Sequence, residues 1–280
     1  MLDSARRVFQ IPAAERALVR LTLGRRYGGA ISRLAPNPYQ YPLGSRRAAR
    51  RYGLDLELDL AELMDWYLYF GFRDPSHERL LSICRPGDTV LDVGANMGIT
   101  VLRGADRVGP SGRVIGLEPD PSNFAKLSAN VERAGRPNVQ LFNVGAADKK
   151  GTLYLRVRDP HNVGMNTLVA APGEDTVEVP VTTLDELVET LALRSVDVVK
   201  MDIEGSEAWA LAGATKTLRK FRPRLFVELD DSALKAHGSS GASLFEAIRS
   251  LDYRITDAET RKPLPADLTN VHTDIVADPI

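Results

Sequence analysis

Between residues 88 and 251, short apolar runs alternate with amphipathic stretches, and this alternation limits the fold more than any other feature of the chain. The runs are TVLDV (89–93), RVIGLE (113–118), VQLFNV (139–144), VDVVKMDI (196–203) and PRLFVEL (223–229). The stretches with helical spacing are ITVLRGADRV (99–108), PSNFAKLSANVERAG (121–135), TLDELVETLAL (183–193), SEAWALAGATKTLRKF (206–221) and ASLFEAIRSL (242–251). Near-continuous apolar runs suit strands covered on both faces, and intervening helices act as crossovers between parallel strands. The expected fold is therefore α/β, a parallel sheet with helices on both faces. The tail TNVHTDIVA (269–277) is expected to close that sheet. Residues 151–182 break the alternation and read as a hairpin, TLYLRV and TVEVPVT, around the loop 158–175. No repeat of 20–50 residues appears.

The chain ahead of this region is different. Residues 1–52 hold eleven arginines, no lysine, and only Asp3 and Glu15 as acids, so they carry +9 against −10 in the remainder. We expect an Arg-rich arm and linker over 1–52 and the main domain over 53–280, with a helical cap (53–87) before the core (88–280). Within the arm, the spacing of Ala17, Leu18 and Leu21 predicts one helix over 13–23, and the three prolines of APNPYQYPLG predict an extended linker. LDLELDL alternates as a strand would, and a helix follows it. An arm of this charge is a candidate contact for anionic lipid at a membrane surface, or for a second copy of the chain in a homodimer. Nucleic acid is not expected as a partner, because no aromatic residues interleave the arginines. No apolar run approaches the ~18 residues of a transmembrane span. The lone cysteine, Cys84, excludes an internal disulfide and suits a cytoplasmic location.

The chemistry begins at TVLDVGANMG, where a buried strand ends in Asp92 and then Gly94, Asn96 and Gly98. In open α/β sheets, ligands bind at the carboxyl ends of the strands. A dinucleotide cradle would need G-x-G-x-x-G, but Asn96 and Ile99 stand at the second and third glycine positions. S-adenosylmethionine carries an amino group that suits Asp92 and a carboxylate that suits the turn's backbone amides. A tight strand-to-helix turn without a ligand is the plain alternative. Glu118 then ends the next strand, where a carboxylate can accept both ribose hydroxyls. Two further strands end in acids: Asp202, Glu204 and Glu207 after the first, and Glu228, Asp230 and Asp231 after the second. Like charges gathered at one edge either raise proton affinity or demand a cation. That points to a general base, a divalent metal, or both.

These stretches, DTVLDVGANMG, GLEPDPSNFAKLSANV, VKMDIEGSE and PRLFVEL, resemble in order and spacing the FkbM-type S-adenosylmethionine-dependent methyltransferases over roughly residues 65–255. The resemblance implies a class I methyltransferase fold, Rossmann-like, with a seven-stranded sheet that is mostly parallel and has an antiparallel last strand. It implies O-methyl transfer from S-adenosyl-L-methionine to a small-molecule, glycan or glycolipid acceptor, such as a sugar or polyketide hydroxyl. The alternatives are an N-methyl or non-catalytic cofactor-binding protein and, more remotely, an NAD-dependent oxidoreductase. The implied cofactor set is Asp92, Gly94, Ala95, Asn96, Gly98, Glu118 and Pro119, with Asn143 and Ala146 beside the adenine and Asp202 at the methyl-transfer site. The catalytic candidates are Asp202, Glu204 and Glu228. A Mg2+ or Mn2+ ion is expected at Asp202, Glu228 and Asp230. The family often places histidine two residues after the glutamate, where this chain has Asp230. Trp66, Tyr67 and Tyr69 are candidates either for a wall over the site or for ordinary helix packing, and His161 for a surface residue or a base.

Overall fold

The computed structural model describes residues 6–157, 159 and 161–280, and the chain divides into two compact units. The first comprises residues 1–75 and 158–165, and the second residues 76–157 and 166–280. The first boundary thus falls at 75/76, well beyond the 52/53 expected from charge alone.

In the first unit, the helix Pro12–Thr22 forms as the spacing predicts and buries Glu15, Leu18 and Thr22. The arginine-rich segment is a strand, β1 (Arg46–Arg51), which pairs antiparallel with β2 (Leu54–Asp59). β2 alternates buried leucines with outward acids, as the pattern LDLELD requires. The arm is therefore folded rather than extended. Its buried acid explains why. Glu15 is 1% exposed and accepts from Arg47 Nε (2.9 Å) and from the Tyr69 hydroxyl (2.9 Å), so two elements of this unit are tied to the first helix. The helix Leu63–Tyr69 buries Trp66, which packs against Phe70, Phe72 and Tyr27 and donates Nε1–H to the Pro36 carbonyl at 2.6 Å. Trp66 and Tyr69 are core residues of this unit. His161 bonds the Ala61 carbonyl through Nδ1 at 2.8 Å.

The second unit begins with the helix Pro75–Ile83 and is built on strands β3 (Thr89–Val93), β4 (Arg113–Leu117), β5 (Val139–Phe142), β6 (Gly145–Ala146), β7 (Gly151–Arg156), β8 (Thr167–Val169), β9 (Thr176–Thr182), β10 (Val198–Met201), β11 (Arg224–Asp230), β12 (Tyr253–Asp257) and β13 (His272–Pro279). Seven of them form one sheet in the order β12-β13-β11-β10-β3-β4-β5. β5, β4, β3, β10 and β11 run parallel, and β13 is antiparallel to both its neighbours. This is the expected class I methyltransferase architecture. Alternate residues feed opposite faces. Val90, Val114, Val198 and Phe226 pack with Val101 and Ala105 of the helix Ile99–Val108, whereas Leu91, Ile115, Val199 and Leu225 pack with Leu184, Leu211, Leu218 and Leu244. The expected hairpin is β7 with β9, extended by β6 and β8 to a second, four-stranded sheet.

One expected helix is two. The stretch 206–221 breaks into Glu207–Ala212 and Thr215–Phe221. The Asp185 carboxylate accepts from the amides of Lys216 (3.0 Å) and Thr217 (2.7 Å), capping a new helix start from outside.

Candidate active site

Strand order reverses between β3 and β10: the chain proceeds outward from β3 through β4 and β5, then restarts at β10 on the other side. Carboxyl ends at such a reversal leave a crevice where ligands bind. The turn after β3 lies there. Gly94 and Gly98 have φ of 81° and 93°, and Asn96 has 47°, all left-handed. The need for glycine at 94 is steric, because a Cβ there would stand 2.0 Å from the Asp202 carbonyl oxygen. At Gly98 it would stand 2.4 Å from Leu127 Cδ1. Both glycines make room for the protein's own atoms. The turn's amides are also largely used. Gly94 and Ala95 donate to the Leu117 carbonyl, Gly98 to that of Ala95, and Asn96 to Glu118. The helix Ile99–Val108 starts directly after the turn, and its leading N–H groups lack intrahelical partners.

Glu118 follows β4 and is 5% exposed. Oε2 accepts from Asn96 N (2.7 Å) and Oε1 from Asp120 N (2.9 Å), so each oxygen keeps one further lone pair. Burial pushes its pKa up to about 7, against the pull of those two amides. Pro119 and Asn143 shape this corner. Asn143 donates Nδ2–H to the Glu118 (2.8 Å) and Pro119 (3.1 Å) carbonyls, which fixes the chain as it leaves β4. Ala146 is 2% exposed inside β6, paired with Thr182.

Asp92 is not an open carboxylate. It is 2% exposed, and Lys200 Nζ lies 3.1 Å from its Oδ1. The same ammonium donates to the Gly94 carbonyl (2.8 Å) and lies 3.4 Å from Asp202 Oδ2. Burial works against the charge on Lys200, but Asp92 and Asp202 outweigh it and hold the lysine above its ordinary range. Asp92 therefore has a cationic partner within the protein, and the expected salt link to a cofactor amino group has a competitor. Asp202, with 39% of its side chain exposed, is the outward member of this chain.

Three acids converge: carboxylate oxygens of Asp202, Glu204 and Glu228 lie within 4.8 Å of one another. The set contains the three catalytic candidates. It overlaps the expected metal set in Asp202 and Glu228 but not in Asp230, whose Oδ1 caps the helix Asp231–Ala236 by accepting from Ser232 N (2.8 Å) and Ala233 N (3.0 Å). Glu228 is mostly buried. Burial raises its pKa, partly offset by a hydrogen bond from His272. Behind the acids, Glu207 is 1% exposed and accepts from Ile203 N (2.9 Å) and Gly205 N (3.3 Å), which bends the 202–206 loop. Burial and the Glu228 charge push Glu207 up to about 8.

Lys200 and His272 thus join a site that acid counting alone leaves without its cations. Lys200 had a signal in the sequence: a lysine inside the four-residue buried strand VVKM must be paired. Cys84 plays no part, since burial pushes its thiol up to about 12.

The chain matches the model of the methyltransferase FkbM domain over residues 92–255. It is 25% identical over 186 residues to the 2-O-methyltransferase NoeI of Sinorhizobium fredii, spanning 59% of this chain and 74% of that protein. It is 29% identical over 140 residues to the hexuronic acid methyltransferase AglP of Haloferax volcanii, spanning 50% and 55% respectively. It is 30% identical over 157 residues to the 31-O-demethyl-FK506 methyltransferase FkbM of Streptomyces tacrolimicus, spanning 46% and 60%. For the last two the match spans less than two thirds of the relative's length. Among solved structures, a methyltransferase FkbM from Methylobacillus flagellatus aligns with 98% of this chain and 60% of its own, at 17% identity and a TM-score of 0.46.

Proposed function

The chain belongs to the FkbM methyltransferase family, and from that premise we propose that it carries a methyl group from S-adenosylmethionine to a hydroxyl of a sugar, glycolipid or polyketide-type acceptor. The observation that carries the reading is the pair of acids flanking the reversal point. Glu118 stands beyond β4 with two lone pairs to spare, and Asp202, with 39% of its side chain exposed, stands beyond β10 in an acid cluster. The donor set fits the cofactor. Glu118 would accept the two ribose hydroxyls, the first-turn amides of the helix Ile99–Val108 would meet the carboxylate, and Asp202 would face the cationic end.

Bound S-adenosylmethionine supplies an electrophilic methyl on a positively charged sulfur. The chain's own residues then have two tasks. One is alignment, since methyl transfer is largely a matter of holding the hydroxyl oxygen behind the methyl carbon. The other is removal of the hydroxyl proton as the S–C bond breaks and the O–C bond forms. Asp202 takes that proton, with Lys200 as a fixed counter-charge 3.4 Å away. Because Asp202 and Glu228 already face Lys200 and His272, and Asp230 caps a helix, the reading uses no divalent ion. Exhaustive chelation is expected to leave turnover intact. Loss of turnover that magnesium or manganese restores would favour the metal instead. Asp202→Asn is expected to lower kcat by about 10²–10⁴, a larger effect than any loss of cofactor affinity. Unchanged kcat in that variant would refute the assignment of the base.

The first unit's exposed arginines, Arg16, Arg20 and Arg25 among them, stand among exposed Ile11, Leu21 and Leu23. We read this surface as the contact for an anionic lipid surface or a second copy of the chain. Vesicle sedimentation and light scattering test the two, and failure of both would refute the reading. Among the described residues no helix is long and apolar enough to cross a membrane.

A further inference from the structure

Residues 151–182 interrupt the strand–helix alternation, and two neighbours among them reach loops on both sides of the crevice. Asn166 donates Nδ2–H to Asp120 Oδ2 at 2.7 Å, beyond β4. Thr167, the first residue of β8, donates its hydroxyl to the Glu204 carbonyl at 2.7 Å, beyond β10. We propose that Asn166 and Thr167 are positioning residues for methyl transfer: Asn166 steadies the corner that carries Glu118, and Thr167 holds the loop that carries Asp202 and Glu204. The proposal rests on the reading of Glu118 as the ribose acceptor and Asp202 as the base, and it gives the inserted sheet a task.

The loop after β10 needs a hold. Glu204 has φ 53°, a left-handed backbone that a residue with a Cβ adopts only at a cost. Such a conformation persists where its surroundings over-determine it. Here the peptide between Glu204 and Gly205 is gripped at both ends. Its carbonyl accepts from Thr167, and its N–H donates to Glu207 Oε1 at 3.3 Å. Gly205 also lies close against the helix Asp231–Ala236, where a Cβ would stand 2.5 Å from the Ala233 carbonyl oxygen. Thr167 is itself fixed. It is 1% exposed, and with its one proton given to Glu204 it accepts from His237 Nε2 at 2.9 Å. That nitrogen also faces the Leu168 carbonyl at 2.8 Å, which can only accept, so Nε2 carries a hydrogen. Without the hydroxyl, Glu204 can relax out of the left-handed region and carry its carboxylate away from Asp202 and Glu228. On the other side, Asp120 Oδ1 caps the helix Pro121–Ala134, and the Asp120 amide donates to Glu118 Oε1. Asn166 occupies the second oxygen of the residue that orients Glu118.

The two residues should therefore fail in different ways, measured on the full chain. Asn166→Ala should weaken S-adenosylmethionine binding about threefold in calorimetry and leave kcat within about twofold. Thr167→Val should do the reverse, lowering kcat about tenfold with affinity within about twofold, and Thr167→Ser should restore kcat. Thr167→Ala, which sets no methyl against the carbonyl, repeats the measurement should valine prevent folding. Hydrogen exchange followed by NMR reads the grip without turnover. The Gly205 amide should exchange about fivefold faster in Thr167→Val, and at the wild-type rate in Thr167→Ser. Unaltered kcat in Thr167→Val, a loss that serine does not restore, the same pattern of change in both variants, or unchanged Gly205 exchange would overturn the proposal. Failure of the base assignment appears in Asp202→Asn alone, and hydrogen exchange at Gly205 does not depend on it.

Discussion

Replacing Gly94 with alanine is expected to damage the fold before it touches the cofactor. Two costs combine. At φ 81° an L-residue pays for the left-handed backbone, about 1–2 kcal/mol. The new Cβ would also stand 2.0 Å from the Asp202 carbonyl oxygen, a rigid backbone atom. Relieving such overpacking costs about 1–3 kcal/mol. The sum is about 2–5 kcal/mol, which at about 2–4 °C per kcal/mol lowers Tm by roughly 4–20 °C. A control isolates the second cost. Gly135 also sits at positive φ, 61°, but an added Cβ there meets nothing within 4 Å. Gly135→Ala should therefore lose only the first part, about 1–2 kcal/mol. Urea denaturation of both variants, followed by circular dichroism, reads the difference directly. If Gly94→Ala is no less stable than Gly135→Ala, the steric account of the turn is wrong. The same clash means that a bulkier change, such as Gly94→Val, cannot serve as a clean probe of cofactor binding.

The other predictions concern buried charge. Because burial raises Glu118 to about 7, the folded chain prefers its protonated form, and its contribution to stability is present below about 4.5 and lost as pH rises through 7. Ribose hydroxyls favour the carboxylate, so cofactor binding should release a proton near pH 6.5 and weaken as pH falls further. Calorimetry in two buffers of different ionisation enthalpy checks this, and buffer-independent heats, or release that persists in Glu118→Gln, would contradict it. Lys200→Met should leave the 2%-exposed Asp92 without its counter-charge and cost about 3–5 kcal/mol in chemical denaturation. A loss below about 1 kcal/mol would match an exposed pair and refute the buried network.

Much of the second unit is legible in the sequence because its signals are local. Apolar runs and helical spacing mark the strands and helices, and Glu118 and Asp202 are visible as acids that close buried strands. What escapes is what chain neighbours cannot encode. Gly94 looks like an opening for a ligand until the Asp202 carbonyl is seen against it. Asp92 looks like a free acid until a lysine two strand positions before Asp202 is found paired with it across β3 and β10. A histidine sought two residues after Glu228 arrives instead from the opposite strand, through a register fixed over forty residues later. The first unit is harder to read for a related reason. Its arginines suggest an arm that docks on an anionic surface, yet Arg47 and Arg51 spend their charge on Glu15 and on backbone carbonyls within the unit.

The discontinuity of the first unit has a practical meaning for anyone who would exchange it. Its residues come from 1–75 and from 158–165, and the second segment leaves the other unit just after β7 and rejoins it after the single 3-10 turn Val163–Met165. The insert is stitched in by two hydrogen bonds: Leu63 N donates to the His161 carbonyl at 2.8 Å, and the His161 ring Nδ1 meets the Ala61 carbonyl. A chimera that transplanted only residues 1–75 from a relative would set a foreign surface against the native insert, and the mismatch would be read as loss of function. Grafts of the first unit have to carry both pieces, with junctions at 75/76, 157/158 and 165/166.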